Sequence, residues 1–129
     1  MALNLDIVTP ERAVFSGTAD EVRAPGVNGE FGVLPDHALF LSLLKAGVVT
    51  VHNGGSSERF VVGRGFAEAG PDRVVILTDS CEAAADVDKA GAEADLAKAE
   101  GVLGDTEPDS EEHIAALRLA ELSRARLDI

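Results

Sequence analysis

Val48-Val-Thr-Val-His-Asn-Gly-Gly-Ser-Ser-Glu-Arg-Phe-Val-Val62 reads as two strands joined by an Asn-Gly turn. Asn53-Gly54 supplies the positive φ angles that a tight hairpin demands, and the arms Val48–His52 and Arg59–Val62 are rich in β-branched residues. The same rhythm continues outward on both sides. Downstream, Gly63-Arg-Gly65 and Gly70-Pro-Asp72 punctuate the apolar runs Phe66–Ala69 and Val74–Thr78. Upstream, Lys45-Ala-Gly47, Asn28-Gly29 and Pro25-Gly26 separate Leu41–Leu44, Phe31–Leu34, Glu21–Ala24, Val14–Ala19 and the alternating Leu3–Val8. About ten short strands at intervals of roughly 8 to 12 residues, with no helical period between them, predict an antiparallel β-sandwich or flattened barrel.

Beyond Cys81 the pattern changes to alanine-rich helix. Asp86 is the expected cap of a first helix over Val87–Leu103, and its repeat at positions 90, 94, 97 and 101 is Ala, Ala, Ala, Gly. Gly104-Asp-Thr-Glu-Pro108 stops it. Asp109 with Glu112 three residues on predicts a capping box for a second helix reaching about Arg126, whose larger apolar residues are Ile114, Leu117, Leu119 and Leu122. The division expected is 1–84 as the β-sandwich and 85–129 as an antiparallel helical hairpin. A contact stripe of small residues buries little area, so the hairpin should adhere weakly and be mobile in the isolated chain.

A chain of 129 residues, 46% hydrophobic, is enough for one core with an annex. Its net charge of -12 is uneven: residues 79–112 hold twelve acids against two bases, whereas residues 113–129 hold two against three. That balance repels phosphate backbones and anionic lipid, so nucleic acid is excluded as a partner. The N-terminus has no basic region followed by an apolar run, and no stretch approaches a membrane span, so a soluble, uncleaved chain without membrane insertion is expected. The single cysteine, Cys81, sits among apolar neighbours and reads as an inert thiol in a reducing compartment.

The chemistry-bearing residues are sparse. His37, His52 and His113 have no second ligand at metal spacing, so no metal is expected. Gly63-Arg-Gly65 lacks the third glycine of a dinucleotide fingerprint, with Glu68 in its place, and reads as a turn. No nucleophile has an evident base, so no catalytic residue is assigned. Glu30, Asp36 and His37, in Gly29-Glu-Phe-Gly-Val-Leu-Pro-Asp-His-Ala38, fall at bends of one sheet end. Three readings stay open for them: an acid–base pair, a contact surface, or solvated turns.

The segments Leu5-Asp-Ile-Val-Thr-Pro-Glu-Arg12, Val22-Arg-Ala-Pro-Gly26, Gly29 to Ala38, Leu44-Lys-Ala-Gly-Val48, Gly65-Phe-Ala-Glu68 and Val74-Val-Ile-Leu-Thr-Asp79 resemble the epsilon subunit of bacterial F-type ATP synthases. Ile114 to Arg124 is similar to that family's second C-terminal helix. The resemblance spans essentially the whole chain.

It implies a ten-stranded sandwich with a helical hairpin, acting as a non-catalytic rotor subunit without a cofactor. The expected partners are the gamma subunit, the c-ring, and the alpha and beta catalytic subunits through the C-terminal helices. The expected location is peripheral, on the cytoplasmic side of the bacterial inner membrane. Glu30, Asp36 and His37 then become c-ring contacts. Arg118, Arg124 and Arg126 become contacts of the hairpin with acidic catalytic loops, in competition with a plain helix-dipole role. Some members bind ATP through a motif whose arginine position corresponds here to Gly91 in Val87-Asp-Lys-Ala-Gly-Ala92. Without that guanidinium no nucleotide site is expected. The rival from another class is a free-standing β-sandwich binding module, which would want exposed aromatic platforms; the chain has neither Trp nor Tyr.

Overall fold

The computed structural model describes residues 2–129. Ten strands come first: β1 (Leu3–Val8), β2 (Ala13–Ala19), β3 (Glu21–Gly26), β4 (Gly29–Val33), β5 (Phe40–Leu44), β6 (Gly47–Asn53), β7 (Ser56–Val62), β8 (Gly65–Ala69), β9 (Arg73–Thr78) and β10 (Cys81–Ala83). A 3-10 turn at Ala84–Asp86 leads into helices α1 (Lys89–Asp105) and α2 (Glu111–Leu127).

The strand order is β10-β7-β6-β3-β5-β8-β9-β1-β2, with β4 added on β3. β3 and β5 meet in register only at Gly26 and Leu44. At that corner the sheet folds into two layers, one from β10 to β3 and β4, the other from β5 to β2. Strand alternation supplies the filling between them. Leu3, Leu5 and Ile7 of β1 and Val74 and Ile76 of β9 are buried in one cluster with Val22, Val33, Val49, Val51 and Phe60. Each such side chain contributes about 1.5–3 kcal/mol by leaving water. Phe15 of β2 meets Phe60 of β7 edge to face, with centroids 5.6 Å apart, across the two layers.

The β6–β7 hairpin has a two-residue Gly54-Gly55 loop, Asn53 pairing with Ser56 and Gly54 at φ 64°. Two details refine the expected ten-stranded antiparallel sandwich. Pairing is antiparallel except between β1 and β9, which run parallel with Leu5 opposite Val74. Alternation reports which face a residue takes but not the direction of the strand beside it. β10, only three residues long, lies where the sequence predicts the passage into helix; so short a strand carries no period.

The helix signals were also displaced. Asp88, not Asp86, caps α1, its carboxylate accepting from the Gly91 N–H at 3.0 Å. Ser110, not Asp109, caps α2, accepting from His113 N–H at 3.2 Å. Positions 90, 94, 97 and 101 face solvent. Instead α1 turns Ala92 and Ala99 inward, and Ala99 packs with Ala116 and Ala120 of α2, flanked by Leu96, Val102, Leu103 and Leu119. Ile114 and Leu117 remain exposed. Alanine against alanine lets the two helices approach closely, so the seam follows the smallest residues of α2 rather than its largest.

Candidate functional site

The bend residues Glu30, Asp36 and His37 lie at one end of the sandwich. Glu30 follows the turn into β4, opposite Pro25 in register, and its carboxylate stands 3.5 Å from Arg23 Nη1. The His37 imidazole lies edge to face on Phe40 at 5.0 Å, and Phe40 in turn on Phe31 at 5.4 Å. His37 Nδ1 is 2.9 Å from the Ala38 carbonyl oxygen. A carbonyl only accepts, so Nδ1 carries the proton and Nε2 is left as an acceptor. Glu30, Phe31, His37 and Phe40 line one open cleft of about 440 Å³; Asp36 is not among its walls. Asp36 is held differently, in the left-handed region at φ 67°, with its N–H donating to the Pro71 carbonyl at 2.6 Å. The structure therefore brings Glu30 and His37 to one site and assigns Asp36 to the turn.

A nucleophile and base do meet elsewhere, contrary to the sequence reading. The β6–β7 register sets His52 opposite Ser57, whose hydroxyl lies 2.9 Å from Nδ1; His52 Nε2 is 3.9 Å from Glu21. The pairing was available from the hairpin register. Ser57 is exposed on a strand surface, and 3.9 Å is too long for a hydrogen bond, so bulk water competes at both links. This is a solvated polar chain.

The hairpin is fixed to the sheet by charge. Arg64, in the turn between β7 and β8, forks onto Glu121 of α2, Nε and Nη2 donating at 2.8 and 2.6 Å. The hydrogen bonds from Arg64 hold the Glu121 carboxyl below the usual range, and Glu121 raises Arg64 in return. Arg126 donates to Glu82 of β10 and lies 4.0 Å from Asp95 of α1. Arg118 stands 3.8 Å from Asp79. Of the three predicted regulatory arginines, two are thus engaged within the molecule. Arg124 makes no ion pair among the described residues and lines a cleft of about 570 Å³ with Val27, Leu43, Lys45 and Arg64. Arg64, unassigned from the sequence, makes the two-pronged link among these.

At the start of α1 the Asp88 carboxylate is spent on the cap, and a Cβ at Gly91 would stand 2.7 Å from its Oδ2. Among the described residues no group of three His, Cys, Asp or Glu side chains is placed to hold a metal ion. No helix of the described residues is long and apolar enough to cross a membrane.

The feature the sequence reading missed is the outer face of β5. Leu39, Leu41 and Leu43 are 81%, 67% and 63% exposed in a row. Register places Leu43 beside the exposed Phe66 of β8 and Leu41 beside Glu68. Half-buried Val75 and Leu77 of β9 extend the surface. The signal was present in Phe40-Leu-Ser-Leu-Leu44, where leucine stands on both faces of the strand; such a strand has no face meant for water.

Residues 2–84 match the family model described as ATP synthase, Delta/Epsilon chain, beta-sandwich domain. The ATP synthase epsilon chain of Anaeromyxobacter sp. (strain Fw109-5) is 40% identical over 129 residues, covering 100% of this chain and 98% of its own. That of Moorella thermoacetica is 44% identical over 122 residues, covering 92% and 91%. Among solved structures, a chain of the Euglena gracilis mitochondrial ATP synthase (OSCP/F1/c-ring) superposes with a TM-score of 0.82 at 20% identity, covering 96% of this chain and 78% of that one. A chain of the Tetrahymena thermophila mitochondrial ATP synthase central stalk and c-ring gives 0.61 at 12% identity, covering 98% and 97%. At those identities the two structures attest the fold alone.

Proposed function

Since the chain belongs to the ATP synthase delta/epsilon family, as an epsilon chain, we propose that it is a non-catalytic central-stalk subunit that couples c-ring rotation to the catalytic head through gamma. The observation that carries this reading is the apolar outer face Leu39, Leu41, Leu43 and Phe66. A surface row of leucines costs solubility unless a partner covers it, and in this reading the partner is gamma.

Two regions divide the work. Residues 1–84 form the docking unit, with Glu30 and His37 presenting a carboxylate and an imidazole Nε2 to the polar loops of the c-ring and Asp36 fixing the bend between them. Residues 85–129 form a regulatory unit that restrains ATP hydrolysis by reaching acidic loops of the alpha and beta subunits. For that, Arg118 must leave Asp79 and Arg126 must leave Glu82 and Asp95. Arg124 makes no such pair within the docked hairpin among the described residues. The solvent-exposed pair Arg118–Asp79 holds the docked hairpin by only about 0.2–1 kcal/mol, so its exchange for another carboxylate is cheap. The subunit needs no cofactor or nucleotide, and it sits peripherally on the cytoplasmic side of the bacterial inner membrane.

Co-purification tests the assembly: the tagged chain should capture gamma, and Leu41→Asp with Leu43→Asp should abolish capture while the monomer stays folded. The regulatory part is tested by the ATPase rate of the assembled head with the full chain and with residues 86–129 removed. Equal rates would remove the restraint from the proposal.

A further inference from the structure

In a chain of net charge -12, a surplus of positive charge at one place is informative. Arg12, Lys45, Arg59, Lys89, Lys98 and Arg124 take part in none of the ion pairs of the described residues. Two of them, Lys45 and Arg124, line the same cleft of about 570 Å³. Its other charged walls are Arg64, Glu121 and Asp128, and both oxygens of Glu121 are already occupied by Arg64. Two unpaired cations therefore face one free carboxylate. The remaining walls include Val27 and Leu43, both exposed, and Val27 N–H donates to the Leu43 carbonyl at 3.0 Å. Leu43 is also the last of the outer leucine row. The apolar face and the positive cleft are thus one continuous surface.

We infer that the protein covering the leucine row carries acidic side chains at the end of its apolar stripe and seats them between Lys45 and Arg124. This rests on the central-stalk reading, in which that protein is gamma. Elsewhere the acidic surface repels such a partner; here it attracts, which fixes the register of docking. Lys45 comes from the β5–β6 turn of the sheet and Arg124 from the last turn of α2. A carboxylate bound by both straps the hairpin to the sheet. Partner binding and hairpin docking are then coupled, each favouring the other by the same factor.

The test is the affinity of the purified chain for its own gamma subunit. Lys45→Glu and Arg124→Glu should each weaken binding about tenfold, more at low salt than at high, while Arg59→Glu and Lys89→Glu change it less than about twofold. Gamma should also slow amide exchange across α2 in the unaltered chain and fail to do so with Lys45→Glu. Should Arg124→Glu fray the helix, Lys45→Glu, on an exposed turn outside any helix, still decides. Reversals at 45 and 124 no more harmful than those at 59 and 89 overturn the inference while leaving gamma binding intact. An ATP titration whose heat disappears with Lys45→Glu overturns it too, giving the cleft to phosphate. Failure of the unaltered chain to bind gamma at all overturns the central-stalk reading and this inference with it.

Discussion

A Cβ on Gly65 would stand 1.9 Å from the Leu77 carbonyl oxygen, backbone that cannot step aside. Gly65→Ala should therefore cost about 1–3 kcal/mol in denaturant unfolding. Gly101 has nothing within 4 Å of the same position and lies inside α1, so Gly101→Ala should stabilise by about 0.5–1 kcal/mol. Equal effects of the two would refute the packing argument. Next to the Gly63-Arg64 turn, the buried Thr78 hydroxyl lies 3.0–3.2 Å from the carbonyls of Gly63, Arg64 and Ser80, holding the loop that aims Arg64 at Glu121. Cys81 is half-buried where β10 pairs with β7. Burial pushes its thiol from an ordinary 9.0 up to about 11. At pH 8 its thiolate fraction is then about a hundredfold below that of an ordinary thiol, and a chromogenic disulfide should modify it correspondingly slowly. Modification at the rate of a free thiol would contradict this.

Among the elements, the hairpin combines the burial of Ala120, Ser123 and Ala125 with ion pairs to the sheet. Glu121 has its pKa lowered by Arg64, so its contribution is present above the ordinary glutamate value of 4.5 and is lost as pH falls through the depressed one. Protection of α2 amides, relative to β1 and β9, should fall when pH drops below about 4.5 and when salt rises, and Arg64→Ala should reproduce the loss at neutral pH. Unchanged relative protection in high salt would mean that the apolar contacts of Leu119, Leu122 and Ala125 suffice. Legibility followed the same line. Strands whose apolar residues alternate, such as Leu3-Asn-Leu-Asp-Ile7, could be read because one face is wet and the other dry. The helix caps slipped by one or two residues because Asp86, Asp88, Asp109 and Ser110 all have the chemistry of a cap, and only the backbone angle at each decides. The contact stripe of α1 was assigned to the wrong face because a helix so rich in alanine has nearly the same apolar content on every side. At the candidate site, the sheet-end position of Glu30 and His37 was readable from turn residues. The Arg64–Glu121 link was not, since nothing local joins residues so far apart in sequence.

At the scale of the whole molecule, the sheet layer from β5 to β2 carries an apolar patch on its outer side, at β5 and the neighbouring part of β8. Leu41→Asp and Leu43→Asp replace side chains already in water, so each should change the stability of the isolated chain by less than about 0.5 kcal/mol. A large loss of stability would mean that the row is covered within the monomer rather than by a partner. That layer also has a particular assembly order. β1 runs parallel to β9, so Leu5 waits for Val74 before its second edge is closed. Pairings so distant in sequence make folding slow, and until residue 78 has emerged the nascent chain exposes the open edge of β1 to its neighbours on the polysome. The acidic stretch from 79 to 112, which follows immediately, emerges as that edge is sealed, lending like-charge repulsion to chains crowded at the same stage of synthesis.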